Sequence, residues 1–225
     1  ALRFVPESPD LVRNSGFEEF AGQRFAAYAF HDRPGEVSVV DTAVRHGGAA
    51  SIRFENFGAF EHGHARFMQE IAVRPHRQYR VGCWVRSEDV APAHSFRLQV
   101  YGPDGCIAPR EFTLKPGSDW QEVSLVFNSG ELTSVRLYGG LWGGKAGRIW
   151  FDDLTLRPLA LVNVLRRPGT PVSVRPVEGQ QTFEEGRDFE PIRTARLNFS
   201  APSCEPPAVA IPAGSRIQPG QRLLV

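Results

Sequence analysis

Phe96-Arg97-Leu98-Gln99-Val100-Tyr101 runs directly into Gly102-Pro103-Asp104-Gly105. Phe96, Leu98 and Val100 fall on one side of an extended chain, and Arg97, Gln99 and Tyr101 on the other. That period of two is the mark of a strand with one buried face. The Gly-Pro-Asp-Gly that follows is turn chemistry, because glycine supplies unusual backbone angles and proline presets one. The same grammar repeats in both directions. Ile52 and Phe54 alternate with Ser51, Arg53 and Glu55. Phe67 to Val73 and Tyr79 to Val85 are strand-like, separated by Arg74-Pro75-His76-Arg77. Glu111 to Leu114 precedes a turn at Lys115-Pro116-Gly117-Ser118-Asp119, and Trp120 to Phe127 places Val123, Leu125 and Phe127 in register. Ser134 to Tyr138 and Arg148 to Leu156 complete the series. No segment carries a helical stripe over three turns. Short strands at intervals of roughly 8–15 residues predict an all-β, antiparallel sandwich or barrel.

Composition agrees. The chain has 225 residues, 22 of them glycine and 18 proline, which favours many turns over long helices. Its net charge of +1 gives no electrostatic drive toward nucleic acid. The longest apolar run, Leu159 to Leu165, already contains Asn163. It is far short of the roughly 18–20 residues of a membrane span. Lys115 and Lys145 are the two lysines among 26 basic residues, so cationic sites here are planar, forked guanidinium groups. Cys83, Cys106 and Cys204 are widely spaced and form no C-x-x-C motif. No signal peptide is visible.

The chain reads as two parts. Every Trp and Tyr precedes residue 151, whereas prolines crowd the segment after Arg157. Residues 1–158 are expected to form the sandwich. Residues 159–225 are expected to be a proline-rich β connector or the start of a following domain. Short strands there are expected at Leu161–Leu165, Pro171–Val174, Val209–Ile211 and Arg222–Val225. With Phe183, Phe189 and Phe199 as its aromatics, that segment is expected to lack a core of its own and to pack on the front part or on something beyond it. Its apolar, strand-like end suggests a fragment of a longer protein.

Four stretches, in order, resemble the family 4/9 carbohydrate-binding modules and their family 16 and 22 relatives. They are Leu11-Val12-Arg13-Asn14-Ser15-Gly16-Phe17-Glu18-Glu19; Gly47-Gly48-Ala49-Ala50-Ser51-Ile52-Arg53; Met68-Gln69-Glu70-Ile71 through Tyr79-Arg80-Val81-Gly82-Cys83-Trp84-Val85-Arg86; and Trp120-Gln121-Glu122-Val123 with Trp150-Phe151-Asp152-Asp153-Leu154-Thr155-Leu156. The match covers residues 11–158. The resemblance implies a galactose-binding-like β-jelly-roll sandwich, soluble polysaccharide or oligosaccharide binding, and a structural calcium ion. It also implies a bacterial module, secreted or at the cell surface or in the periplasm. Such a module is attached to a catalytic domain of a carbohydrate-active enzyme such as a glycoside hydrolase.

For calcium, a hard cation wants six to eight oxygens. Parity places Asp152 on the side of Leu154 and Leu156, and an inward carboxylate needs a partner. The resemblance names Glu18 and one of Asp152 and Asp153, with carbonyls from the loop at Gly47 and Gly48. The alternative is a salt bridge, for example to Arg45. For sugar, the faces opposite the apolar residues carry Arg53 and Glu55; Arg80, Trp84 and Arg86; Arg97, Gln99 and Tyr101; Arg136 and Tyr138. If these strands share one sheet, its outer face combines rings that stack on sugar C–H faces with planar groups that bond hydroxyls. Its arginines would also suit an acidic glycan. The alternative is that Trp84 and Tyr101 are covered and the charges are cross-strand pairs. Trp142, flanked by glycines, is either a ligand platform or a plug over the sandwich end. Trp120 and Trp150 are expected in the core. Glu61-His62-Gly63-His64 carries an H-x-H that could ligate zinc, or it is a polar loop. This chain is expected to be non-catalytic. A module that only docks a neighbouring domain is one alternative. A jelly-roll lyase or hydrolase using Tyr101, Arg97, Arg136 or Glu55 is another.

Overall fold

The fold was analysed in a computed structural model of the chain. The structure describes residues 9–159, 172–191 and 209–224. The expected strand at Leu161–Leu165 lies outside them. The chain divides into two compact units at Pro158: a large one over Ser8–Pro158, and a small one containing the described residues after it.

The large unit is an antiparallel sandwich of two five-stranded sheets. Two-residue strands β1 (Phe20–Ala21) and β2 (Arg24–Phe25) make a small separate hairpin. The sheets are built from β3 (Ala29–Phe30), β4 (Ser38–Asp41), β5 (Ser51–Phe54), β6 (Ala65–Ala72), β7 (Gln78–Ala91), β8 (Phe96–Gly102), β9 (Gly105–Phe112), β10 (Ser118–Asn128), β11 (Ser134–Leu141) and β12 (Ala146–Pro158). The first sheet runs β10-β7-β12-β5-β4, and the second β3-β6-β11-β8-β9. Successive strands mostly cross from one sheet to the other. The exception that matters here is β8–β9, joined by Pro103-Asp104 with Gly102 opposite Gly105, the hairpin that the sequence announced. Jelly rolls are wound in this way.

Alternation works as expected where it reports on the interior. Ile52, Phe54, Val81, Val85, Phe96, Leu98, Val100 and Leu137 are fully buried between the sheets. The centre is aromatic. Phe67 lies 5.6 Å from Phe151, 6.0 Å from Phe17 and 6.4 Å from Phe54, ring centre to centre. Gly139 sits opposite Phe67 on β11, and a Cβ there would come 2.4 Å from the Phe67 ring. Glycine is therefore required for that ring to lie flat on the strand.

The small unit corrects one expectation, because it has a core of its own. Val174, Phe183, Phe189, Val209 and Ile217 are buried together. Strand β13 (Arg175–Pro176) pairs with β14 (Leu223–Leu224). Asp188 is fully buried and held by Arg216, which donates from Nε at 2.8 Å and also from Nη2. The guanidinium keeps the Asp188 carboxyl well below the usual range. Sequence reasoning counted aromatics and missed this pair, which lets a few apolar residues suffice.

Replacing Phe67 with alanine should leave a cavity shared by both sheets. The expected loss is about 3–5 kcal/mol of sandwich stability, read by chemical denaturation.

Candidate functional site

The outward residues of the strands do not share one face. Arg53 on β5 and Trp84 on β7 belong to the first sheet. Arg97, Gln99 and Tyr101 on β8, and Arg136 and Tyr138 on β11, belong to the second. Parity separates inside from outside correctly. It cannot say which outside, because β7 and β8 are consecutive in sequence but lie in opposite layers.

Part of the first sheet's outer face is covered by the loop between β4 and β5. β12 carries a bulge between Asp152 and Thr155, with Asp153 in the left-handed region at φ 48°. The bulge reverses the alternation. Phe151, Leu154 and Leu156 point inward, while Asp152 lies opposite Trp84 on the outer side, correcting the inward placement expected from parity. Asp152 is nonetheless fully buried, because the loop between β4 and β5 folds over it. His46 N and Gly47 N donate to Oδ2 at 2.7 and 3.0 Å, and Asp153 N donates to Oδ1 at 2.8 Å. Burial raises the Asp152 carboxyl above its ordinary value, although these three donors pull it the other way. The His46 ring then stacks on Trp84 at 4.0 Å with 13° between planes, so Trp84 already has an aromatic partner.

Arg53 is likewise engaged. It donates to Asp41 at 2.6 Å and to Glu55 at 3.1 Å. Asp41 also accepts the Trp150 indole N–H at 2.9 Å. Burial alone would raise the Asp41 carboxyl, but Trp150, Val44, Ala43 and Arg53 together bring it down to about 2. Trp150 is buried, but on the outer side against Asp41 and not in the core between the sheets as expected, and Trp120 is half-buried on that side too, its ring 5.7 Å from His46.

Around the same loop stand the residues considered for calcium. Glu18 and Asp153 converge beside Gly16, where a Cβ would lie 3.4 Å from Glu18 Oε1 and 3.6 Å from Asp153 Oδ1. Glu18 Oε2 accepts Ala49 N at 2.6 Å, and Asp153 Oδ2 bonds His46 Nδ1 at 2.6 Å. Arg45 does not pair with either acid; it donates to the carbonyls of Gly48 and Thr42, each at 2.8 Å. Two carboxylates beside three glycines fit a hard cation. Asp152 is less suited, since it is fully buried and three backbone N–H groups already bond its oxygens. Among the described residues, no three His, Cys, Asp or Glu side chains are grouped to hold a metal. That includes His62 and His64, whose rings lie 5.5 Å apart.

The second sheet's outer face is different. Tyr138 on β11 lies opposite Gln99 on β8 and Met68 on β6, and Arg136 lies opposite Tyr101 and Glu70. The Tyr101 and Tyr138 rings meet edge to face at 5.2 Å and 66°. His31, just beyond β3, continues the row, 5.3 Å from Tyr138 at 75°. Arg136 sits 5.9 Å over the Tyr101 ring, and the Tyr101 hydroxyl donates to Gln99 Oε1 at 3.3 Å. At one end Gly140 lies between Arg66 and Arg97, and a Cβ there would come 2.1 Å from the Ala65 carbonyl. The face therefore has a floor without a side chain at that point. Arg97 is tied to Glu111 at 2.7 Å, and Arg66 lies 5.1 Å over the half-buried Trp142 ring. Burial raises the Tyr101 hydroxyl pKa, which works against its use as a base. Glu55 is on the other sheet, bonded to Arg53. Tyr101 and Arg136 are thus brought together, while Arg97 is paired with Glu111 and Glu55 with Arg53.

Sequence reasoning missed His31, Arg66 and Met68. Arg66 and Met68 were legible as the outward partners of Phe67 and Ile71. His31 was not, because a two-residue strand has no period to read.

A family model described as a carbohydrate binding domain matches residues 9–142. The chain belongs to this carbohydrate-binding family. No curated protein matches its sequence. Among solved structures, an arabinose-bound α-L-arabinofuranosidase superposes with a TM-score of 0.51 at 12% identity, over 66% of this chain and 26% of that one. The enzymatically active domain of tailspike protein 4 from bacteriophage CBA120 gives 0.50 at 13%, over 67% and 21%. These two establish the sandwich fold. TmCBM61 in complex with β-1,4-galactotriose gives 0.49 at 20%, over 67% of this chain and 99% of that one.

Substituting Asp152 with alanine should orphan the His46 and Gly47 amides and free the loop from Trp84. The expected cost is about 1–3 kcal/mol. Faster amide exchange across residues 42–50 would report the released loop.

Proposed function

We propose that this carbohydrate-binding domain holds a soluble polysaccharide across the outer face of its second sheet, without catalysing a reaction on it. The observation that carries the reading is the row Tyr101–Tyr138–His31, flanked by Arg136 and Met68; Gln99 is buried and accepts the Tyr101 hydroxyl. Sugars offer apolar C–H faces and a rim of hydroxyls. Aromatic rings take the faces, and amide and guanidinium groups take the rim. Successive rings are turned by 66° and 75°, so they fit a single chain whose sugar faces rotate along its length. They do not make the flat platform that a crystalline surface needs. No helix among the described residues is long and apolar enough to cross a membrane. In this role the module keeps the catalytic domain of a carbohydrate-active enzyme close to its substrate, outside the cell or at its surface.

Calorimetric titration with xylan, mixed-linkage β-glucan, galactan, glucomannan and pectin tests the reading. At least one is expected to bind. Tyr138→Ala should then weaken binding tenfold or more, which is about 1.4 kcal/mol, while Trp84→Ala leaves it unchanged. Binding by none of them, or the reverse pattern of the two variants, would overturn the proposal.

The same proposal includes a structural calcium ion between Glu18 and Asp153. It would neutralise two carboxylates that otherwise face each other and would clamp the N-terminal segment to the loop over Trp84. Removing metal with EDTA should lower the melting temperature, and returning calcium should restore it. Glu18→Gln should abolish the response. An unchanged melting temperature, with no calcium found by metal analysis, would refute it.

A further inference from the structure

A cleft of about 350 Å³ opens at the β3–β6 edge of the second sheet. Val37 and Phe60 form its apolar walls, and His31, Asp32, Glu61 and His64 supply its polar groups. It is continuous with the aromatic face, because His31 both lines the cleft and packs on Tyr138. We infer that this cleft is a separate subsite for one terminal sugar residue of the bound glycan, either the end of its main chain or a one-residue branch. The inference rests on the reading of the Tyr101–Tyr138 face as a glycan surface.

The polar groups are set for hydroxyls. Asp32 is fixed by two donors, the Ser38 hydroxyl to Oδ1 at 2.7 Å and Arg66 N to Oδ2 at 3.0 Å. A carboxyl group offers more than two lone-pair directions, so Asp32 is both rigid and still able to accept. Burial pushes its pKa up to about 6, despite those donors and the Arg66 charge. His64 Nδ1 is buried and has no hydrogen-bond partner among the described residues. A buried polar atom left unpaired is costly. Solvent does not reach that nitrogen as the ring stands, so a sugar hydroxyl, donor and acceptor at once, pairs with it only when the His64 ring turns toward the cleft. Burial, and then the Arg66 charge, lower the pKa of both His31 and His64, which keeps the imidazoles neutral and able to accept. The Arg33 guanidinium covers the Phe60 ring at 4.5 Å and pairs with Glu36 at 3.5 Å. Phe60 is thereby held as a wall. A cleft of this size at the sheet edge holds about one sugar ring, whereas the row of rings beside it is open along its length.

The probes are methyl glycosides of galactose, glucose, mannose, xylose and arabinofuranose, titrated into the full chain and followed by backbone amide chemical shifts. One of them is expected to shift the amides of His31, Asp32, His64 and Ala65 while leaving Tyr101 and Arg136 unmoved. His64→Ala should abolish that shift, while a polysaccharide still shifts Tyr101 and Tyr138. Glu61→Gln, at an exposed position on the rim of the cleft, gives a second variant that should weaken the shift and leave the fold intact. If no glycoside moves the cleft amides while a polysaccharide still moves Tyr101 and Tyr138, the subsite is refuted and the face stands. If no polysaccharide moves the face, both fail. A linear oligosaccharide of the active sugar and a polysaccharide bearing it as a single-residue branch then separate the two sources. Shifts with the first assign a chain end, and shifts with the second alone assign a branch. Shifts with neither refute the subsite.

Discussion

Asp152 is the residue on which the arrangement of the sandwich turns. A carboxylate in the middle of the last long strand would be expensive to bury without donors. Alternation from the inward Phe151 puts it on the outer side, and three backbone N–H groups close around it. That closure draws the loop between β4 and β5 over the first sheet, lays His46 on Trp84, and brings Asp153 toward Glu18. After the bulge Leu154 and Leu156 return to the core in the right phase. One extra residue in a strand thus fixes the loop, the N-terminal anchor and the covered part of that face together.

With Trp84 already stacked under His46, the row of rings on the second sheet is the surface better prepared for a ligand. The contrast between them is chemical as well as geometric. On the first sheet, Arg53, Asp41, Glu55 and the Trp150 indole satisfy one another, and the Trp84 ring is stacked. On the second, Tyr101, Tyr138 and His31 meet edge to face, leaving ring faces half-exposed, and Gly140 leaves a gap in the row between Arg66 and Arg97. Edge-to-face contacts of this kind stabilise the surface in themselves and hold the rings at fixed angles. A ligand with turning apolar faces gains from finding them preset, because the ordering cost is met before binding.

The all-β class and the core were legible from Phe96-Arg97-Leu98-Gln99-Val100-Tyr101 outward. A period of two states which side chains are buried, and Ile52, Phe54, Leu98 and Leu137 obey it. The turn at Gly102-Pro103-Asp104-Gly105 was legible because its residues carry their own backbone preference. The site was half legible. Trp84 and Tyr101 look equivalent by alternation, yet winding from sheet to sheet puts them on opposite outsides. Asp152 was misplaced because nothing in Asp152-Asp153-Leu154 marks a bulge, and a non-glycine at φ 48° is held there by the contacts around it. His31 depends on pairing between segments far apart in sequence. The core of the small unit depends on Asp188 finding Arg216 across 28 residues.

The central claim is that the glycan lies on the second sheet. A crystal structure of the chain with an oligosaccharide taken from whichever polysaccharide it binds tests this most directly. The sugar rings are expected over Tyr101, Tyr138 and His31, with Arg136 within hydrogen-bonding distance. Sugar density over Trp84 with His46 displaced, and none on the tyrosine face, would contradict it.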